Sequence, residues 1–301
     1  MRLTQIRDFL AVVEAGTIRA AARRLGVSQP TITKSIRSLE TELHVQLLRR
    51  SVRGIVLTPS GQAFYARARV AQSELQKAEQ EASLPGDLDA GSVAMGVGPF
   101  AAILILPEAV MRFRQQFPGA RIRIIEGHSN VLLPFVRDDT LDFVMGLRRA
   151  RPVPGIAFRA LYRSELVVAA RKGHPLRNAR SIAQLAGGDW LSTGTLGMPG
   201  GPLERLFESV GLPPPRPVMQ CQAYSAIVAL LAKTDMVGFM QRRLLLEPFA
   251  RDSLQVIPVA EPLPSVTGGL YTRTDTPLTR TASAMVKAVV AVSRNLARFD
   301  D

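Results

Sequence analysis

Two short apolar stripes at helical spacing, split by a glycine and each preceded by a hydroxyl residue, constrain this chain more than any other feature. Leu3, Ile6, Phe9, Leu10 and Val13 first mark a helix, and Gly16 ends it. Thr17 then offers an N-cap for a second stripe, Ile18, Ala21, Ala22 and Leu25. Gly26 stops that stripe and Val27 leads into a turn. Ser28 is the next cap, and Pro30 sits in the first turn of a third helix that runs to about Leu43. Two helices joined by a tight glycine turn form a helix-turn-helix, whose second helix normally lies in the major groove of DNA. At about 100° per residue, Ile32, Ile36, Leu39 and Leu43 fall on one side of the third helix and Pro30, Thr33, Lys34 and Arg37 on the other. Hydroxyls, an ammonium and a guanidinium suit base edges and phosphates. A solvated surface helix can show the same face; the paired short helix and the local charge favour the DNA reading.

That charge is unevenly placed. The chain has 301 residues and a net charge of +13, but residues 1–70 hold 12 Lys or Arg against four Asp or Glu. The other 231 residues are near neutral, with 26 basic and 21 acidic side chains. A basic end on a near-neutral body suggests a polyanionic partner at that end.

After the third helix, Leu47-Leu48-Arg49-Arg50 and Ile55-Val56-Leu57 flank Ser51-Val52-Arg53-Gly54. This reads as a β-hairpin wing from which Arg49, Arg50 and Arg53 could reach phosphates. Thr58 caps a long helix from Pro59 to about Ser83, closed by Pro85-Gly86. Twenty-five helical residues span about 37 Å. A helix so weakly apolar needs a partner to be stable, although a solvated spacer would show the same pattern.

From Ser92 the texture changes. Val93–Val97, Arg121–Ile125 and Leu141–Gly146 read as strands, with helical stretches at Ile103–Phe117 and Leu132–Val136 between them. The pattern restarts with strands at Glu165–Ala170, Gly187–Leu191 and Met236–Met240, a helix at Tyr224–Lys233, an extended run at Val266–Thr272 and a final helix at Leu278–Phe299. Alternating strands and helices imply a mainly parallel sheet, so the fold class is α/β overall. Ligands of open α/β sheets bind beyond the carboxyl ends of strands. That rule selects Gly98, Pro99, Phe100 and Ala101; His128, Ser129 and Asn130; Thr193, Gly194 and Thr195; and Tyr224 and Ser225. Ser129 and Ser225 read equally well as helix caps, His128 as a solvated loop residue, and Thr193-Gly194-Thr195 as a plain turn.

The chain resembles the LysR-type transcriptional regulators. Phe9-Leu10-Ala11-Val12-Val13-Glu14 with Gly16 matches their opening. Ala20-Ala21-Ala22-Arg23-Arg24-Leu25-Gly26-Val27-Ser28-Gln29-Pro30 matches their helix-turn-helix, and Leu57-Thr58 with Gly61 matches the wing's end. Leu48 stands where the family usually has Phe, a change of core filler. The resemblance implies that Ser28, Gln29, Pro30, Thr31, Thr33, Lys34 and Arg37 lie at double-stranded promoter DNA, with Arg50 and Arg53 in the wing. It implies a winged helix-turn-helix over 1–58 and a dimerisation helix over 59–87. It further implies a two-lobed, periplasmic-binding-protein-like effector domain over 88–301, with lobe I about 90–162 and 268–301 and lobe II about 163–267. Phe113, Phe117-Pro118, Glu126, Leu141-Asp142, Gly173-His174-Pro175-Leu176 and Trp190 echo that domain. The expected partners are a small-molecule effector in the inter-lobe cleft, RNA polymerase, and further copies forming a homodimer and then a homotetramer. The family often has a hydroxyl residue just after the first strand; here Gly98 or Phe100 takes its place, with backbone N–H groups left to donate. This points to an aromatic or partly apolar carboxylate.

Other classes have less support. His44, His128 and His174 lack metal-ligand spacing, and no cofactor or metal is expected. No nucleophile elbow or phosphate-binding glycine loop occurs, so the chain is not expected to be an enzyme. Gly96-Val97-Gly98 lacks the third glycine of a dinucleotide site. The single cysteine, Cys221, allows no internal disulfide and reads as a small buried hydrophobe in a strand. With no secretory signal and no run near ~18 apolar residues, a cytoplasmic protein without membrane contact is expected. The competing reading is a metabolite-binding or catalytic α/β protein with an unrelated basic N-terminus.

Overall fold

Helix α1 (Leu3–Ala15) forms because Ile6, Phe9, Leu10 and Val12 share one face, and that face is buried. It packs on α2 (Ile18–Leu25) and α3 (Gln29–Leu43). The computed structural model describes residues 1–51, 54–82, 91–193 and 202–297. They fall into two compact units, Met1–Gly91 with Arg137–Thr140, and Ser92–Val136 with Leu141–Asp301.

In the first unit the caps form as the sequence implies. Thr17 Oγ1 accepts from the Ala20 N–H at 3.1 Å. Ser28 Oγ accepts from the Thr31 N–H at 3.3 Å. Between them Gly26 adopts φ 66°, a left-handed conformation that glycine takes without steric cost. Gln5 is buried and donates to Ser38 Oγ and Glu42 Oε1, tying α1 to α3. Strands β1 (Leu48–Ser51) and β2 (Gly54–Leu57) pair antiparallel. The hairpin is anchored by Glu40, whose Oε1 accepts from the N–H groups of Leu47 (2.8 Å) and Leu48 (3.1 Å). Helix α4 (Pro59–Ala82) starts at Thr58, whose hydroxyl accepts from the Gly61 N–H at 2.9 Å. A Cβ at position 61 would lie 2.0 Å from the Leu47 carbonyl oxygen, so only glycine fits there. Phe64 and Tyr65 of α4 pack edge-on against Phe9.

The second unit begins with β3 (Ser92–Val97), α5 (Pro99–Leu104), α6 (Leu106–Gln116), β4 (Arg121–Glu126), α7 (Ser129–Arg137) and β5 (Phe143–Leu147). The helical stretch expected over Ile103–Phe117 is two helices. Pro107, lacking an N–H, occupies the first turn of α6 and breaks the chain at Ile105. The 16-residue β6 (Ile156–Arg171) follows, then β7 (Asp189–Ser192), α8 (Pro202–Ser209), β8 (Met219–Gln220), α9 (Tyr224–Lys233) and β9 (Met236–Gln241). Last come α10 (Pro248–Arg251), β10 (Leu254–Ile257), β11 (Ser265–Arg273) and α11 (Arg280–Ala297).

The two halves repeat one topology. In the first, β3 lies between β4 and β5, all parallel. In the second, β7 lies between β8 and β9, again parallel. Strand β11 closes the first half antiparallel to β5, and β6 closes the second antiparallel to β9. β6 pairs with β11 as far as Glu165, then with β9 and β10 from Leu166 onward. The expected lobe boundary at 162/163 therefore falls inside one unbroken strand. The halves are joined by strands that pair with each other, so their backbone hydrogen bonds are satisfied across the crossing.

Met95, Phe113, Phe143, Met285 and Val289 lie in the main core. Trp190 is fully buried in a second cluster, packs edge-on against Phe207, and its Nε1–H donates to the Leu185 carbonyl at 2.9 Å. His174 is 2% exposed. Its Nδ1 accepts from the Leu176 N–H (3.0 Å), so Nε2 carries the proton and donates to the Asp235 carbonyl (2.9 Å). Cys221 departs from expectation: it sits just past β8, half-buried, with Sγ 3.6 Å from the Ala223 carbonyl oxygen. β8 is too short to reach it.

Candidate functional site

Helix α3 presents a polar face because its apolar residues are used up inward: Ile32, Ile36 and Leu39 are buried. On the other side, Gln29, Thr33 and Arg37 form one i,i+4 row and Pro30, Lys34 and Ser38 the adjacent one; all six line a shallow surface groove. Thr31 is exposed outside this groove, its hydroxyl 2.7 Å from that of Ser28, and Ser28 itself serves as the cap. Thr33 Oγ1 donates to the Gln29 carbonyl at 3.0 Å, leaving that hydroxyl as an acceptor. Arg49, on β1, is exposed; the Arg50 side chain and all of Arg53 lie outside the described residues.

The second candidate site lies in the Ser92–Asp301 unit, a cavity of about 330 Å³ between its two halves. Strand ends and helix starts build it. Gly98, Pro99 and Phe100 follow β3, His128 and Ser129 open α7, Thr193 follows β7, and Tyr224 begins α9; all seven line the cavity. Ala101 does not: it is 1% exposed and belongs to the main core. Gly194 and Thr195 lie outside the described residues. Ser225 lines a neighbouring cavity and Asn130 is exposed.

The hydrogen bonding is unequal around this cavity. The Gly98 N–H, expected to be a free donor, is taken by the Met145 carbonyl at 2.7 Å. Ser129 is neither cap nor free hydroxyl, since its Oγ donates to the Leu147 carbonyl at 3.0 Å. The His128 carbonyl instead begins α7, accepting from the N–H groups of Val131 and Leu132. By contrast, His128 Nε2, the Tyr224 hydroxyl and Gln241 Oε1 are buried polar atoms with no hydrogen-bond partner. Burial, and then the charge of Glu247, push the Tyr224 phenol pKa up, so it stays protonated and able to donate. Phe100 and Tyr162 stack at 4.3 Å and 18° to form an aromatic wall. Glu204 is the one charged side chain among the described lining residues, none of which is Lys or Arg.

A family model described as a bacterial regulatory helix-turn-helix protein, lysR family, matches residues 3–62. A second, described as the LysR substrate binding domain, matches residues 86–294. The chain belongs to the LysR family. It is 28% identical over 264 residues to the HTH-type transcriptional regulator GalR of Pseudomonas putida (strain KT2440), covering 86% of this chain and 66% of that protein. The chain spans about two thirds or less of the length of the first curated relatives it matches. Its fold is similar to a full-length OxyR variant from Pseudomonas aeruginosa, with TM-score 0.72 and 20% identity, covering 98% of this chain and 97% of that one. It is also similar to full-length CbnR complexed with its target DNA, with TM-score 0.68 and 22% identity, covering 97% and 100% of the two chains.

In this LysR-family chain, sequence reasoning missed Tyr162, Glu204 and Gln241. Gln241 ends β9 and falls under the same strand-end rule. Tyr162 lies on the crossing strand β6, where no strand ends, and Glu204 lies in the first turn of α8, a helix not expected from sequence although Pro202 at its first position was a signal for it. Among the described residues no helix is long and apolar enough to cross a membrane, and no cluster of His, Cys, Asp or Glu could hold a metal.

Proposed function

We propose that this LysR-family chain regulates transcription by binding double-stranded promoter DNA through α3 and the β1–β2 wing, under control of a small molecule held in the inter-lobe cavity. The observation that carries the DNA reading is the exposed, cationic face of α3, held by capped turns on both sides of Gly26. Gln29, Pro30, Thr33, Lys34 and Arg37 are assigned to the major groove, Thr31 and the Ser28 cap to its edge, and Arg50 and Arg53 to backbone phosphates. Gly98, Pro99, Phe100, His128, Ser129, Thr193 and Tyr224 are assigned to the effector, as are Gly194 and Thr195, which lie outside the described residues. No residue is assigned a catalytic role.

Helix α4 is assigned to a homodimer. It leaves Leu75 41% exposed, and its 24 residues extend well beyond the Phe64–Tyr65 contact with α1. Two such chains would present two recognition helices to half-sites about one helical turn apart. Pairing of dimers into a tetramer, and contact with RNA polymerase, are part of the same proposal and are supported by the likeness to the family. An effector acts only if it binds one arrangement of the lobes better than another.

Gel-shift titration of the full chain on the DNA upstream of its own gene tests this reading, with scrambled duplex as competitor. A specific, salt-dependent shift is expected. Equal affinity for scrambled DNA at moderate ionic strength would overturn it.

A further inference from the structure

The inter-lobe cavity is chemically unlike the rest of the molecule. Lys and Arg make up 38 of the 301 residues, yet none of the described lining residues is either one. The undescribed stretch 194–201 contains no ionisable residue in its sequence. The arginine next in sequence to the cavity residue Gln241 is Arg242, and it is paired with Glu165 at 3.1 Å. Arg148, which follows the cavity residue Leu147, lies over the Phe158 ring at 5.0 Å. The charge that does line the cavity is negative, Glu204, and the adjoining cavity that shares His128 and Tyr224 has Glu126 as its charged side chain. Most of the wall is apolar, including Phe100, Tyr162, Phe239 and Met240.

We propose that the effector is an uncharged or cationic organic molecule with an apolar body and a hydrogen-bonding end, and not an organic anion. The proposal rests on the reading of this cavity as the effector site, and it replaces the carboxylate expected from sequence. An anion moved from water into this cavity loses its hydration and meets no side-chain cation among the described lining residues, only the backbone N–H groups at the starts of α7 and α9. Glu204 adds repulsion for an anion and attraction for an ammonium. A hydroxyl or amine can instead complete the buried polar atoms of His128, Tyr224 and Gln241, which the protein leaves unpartnered. About 330 Å³ is near the lower end for small-molecule sites, which run from roughly 300 to 1,000 Å³. A one- or two-ring body with a single polar end suits that space.

The test is isothermal titration of the full chain with matched sets of probes. Each skeleton (2-phenylethyl, cyclohexylmethyl, hexyl, 2-(indol-3-yl)ethyl) is offered as alcohol, amine and carboxylate. For at least one skeleton the alcohol or amine is expected to bind at least tenfold more tightly than its carboxylate. Glu204→Gln should remove the amine's advantage over the alcohol, and Tyr224→Phe should weaken both. If no skeleton's alcohol or amine binds tenfold more tightly than its carboxylate, the proposal is overturned, as it is if every probe fails to bind. Binding unchanged by both Tyr224→Phe and the bulky Thr193→Trp would place the ligand elsewhere. In that case it is the assignment of the cavity as effector site that falls. The DNA titration is a separate measurement and stands or falls independently.

Discussion

Polar side chains are placed in opposite ways on the recognition helix and in the inter-lobe cavity. Around α3 the short hydroxyls are satisfied within the chain, Thr17 and Ser28 as caps and Thr33 by the Gln29 carbonyl, while Lys34 and Arg37 stand exposed. Around the cavity, cations are absent from the described lining, and three buried polar atoms have no partner. A surface that meets a polyanion needs exposed charge on a rigid frame, because counterion release supplies much of the affinity. A cavity that encloses a small molecule needs polar atoms whose desolvation is offset only when the ligand arrives. The two regions therefore respond differently to loss of a polar group.

The largest effect is expected from Lys34→Ala combined with Arg37→Ala. At about 1–3 kcal/mol for each good base contact, the pair should weaken promoter binding by about 30-fold or more at fixed salt. Fluorescence anisotropy measures this, and circular dichroism should show an intact fold. Near-normal binding would remove the recognition role from α3. Next, Gly61→Ala drives a methyl into the Leu47 carbonyl oxygen and should destabilise the N-terminal unit by about 2–3 kcal/mol. A urea titration with probes in each unit would show it, and an equal loss in the Ser92–Asp301 unit would mean that the two do not unfold separately.

Two smaller substitutions sharpen the contrast. Thr17→Ala deletes a satisfied cap and should cost about 1 kcal/mol, read as a lower Tm of the N-terminal unit. Tyr224→Phe deletes an unpartnered buried hydroxyl and should stabilise the ligand-free protein by up to about 1 kcal/mol. The opposite signs are the prediction. If Tyr224→Phe destabilises the ligand-free chain, the hydroxyl has a partner in solution, such as a bound water, and is not poised for a ligand.

The N-terminal unit was legible nearly residue by residue. Thr17, Gly26, Ser28 and Thr58 act on groups three or four positions away, so helix starts and stops could be read directly. Gly61 was visible only through the resemblance, because the Leu47 carbonyl that excludes a side chain there is 14 positions away. The cavity was legible in part. Residues that follow parallel strands, such as Gly98, His128 and Thr193, fall under the strand-end rule and line it. The same rule also selected Ala101, which is buried in the core because the first turn of α5 rotates it inward. Tyr162 was missed because it projects from the middle of a strand shared by both halves, a position that local patterning treats as core.

What the amino-acid order determined by itself is the set of local structures: capped helices, the glycine turn, the cationic face of α3, and a strand–helix pattern that runs twice. These depend on interactions between residues a few positions apart. Tertiary structure alone decided which side chains share the cavity and that no Lys or Arg is among its described lining residues, because β6 and β11 bring together residues about a hundred positions apart. It also decided that the Gly98 N–H and the Ser129 hydroxyl are already taken by Met145 and Leu147, partners that become neighbours only once the sheet is formed.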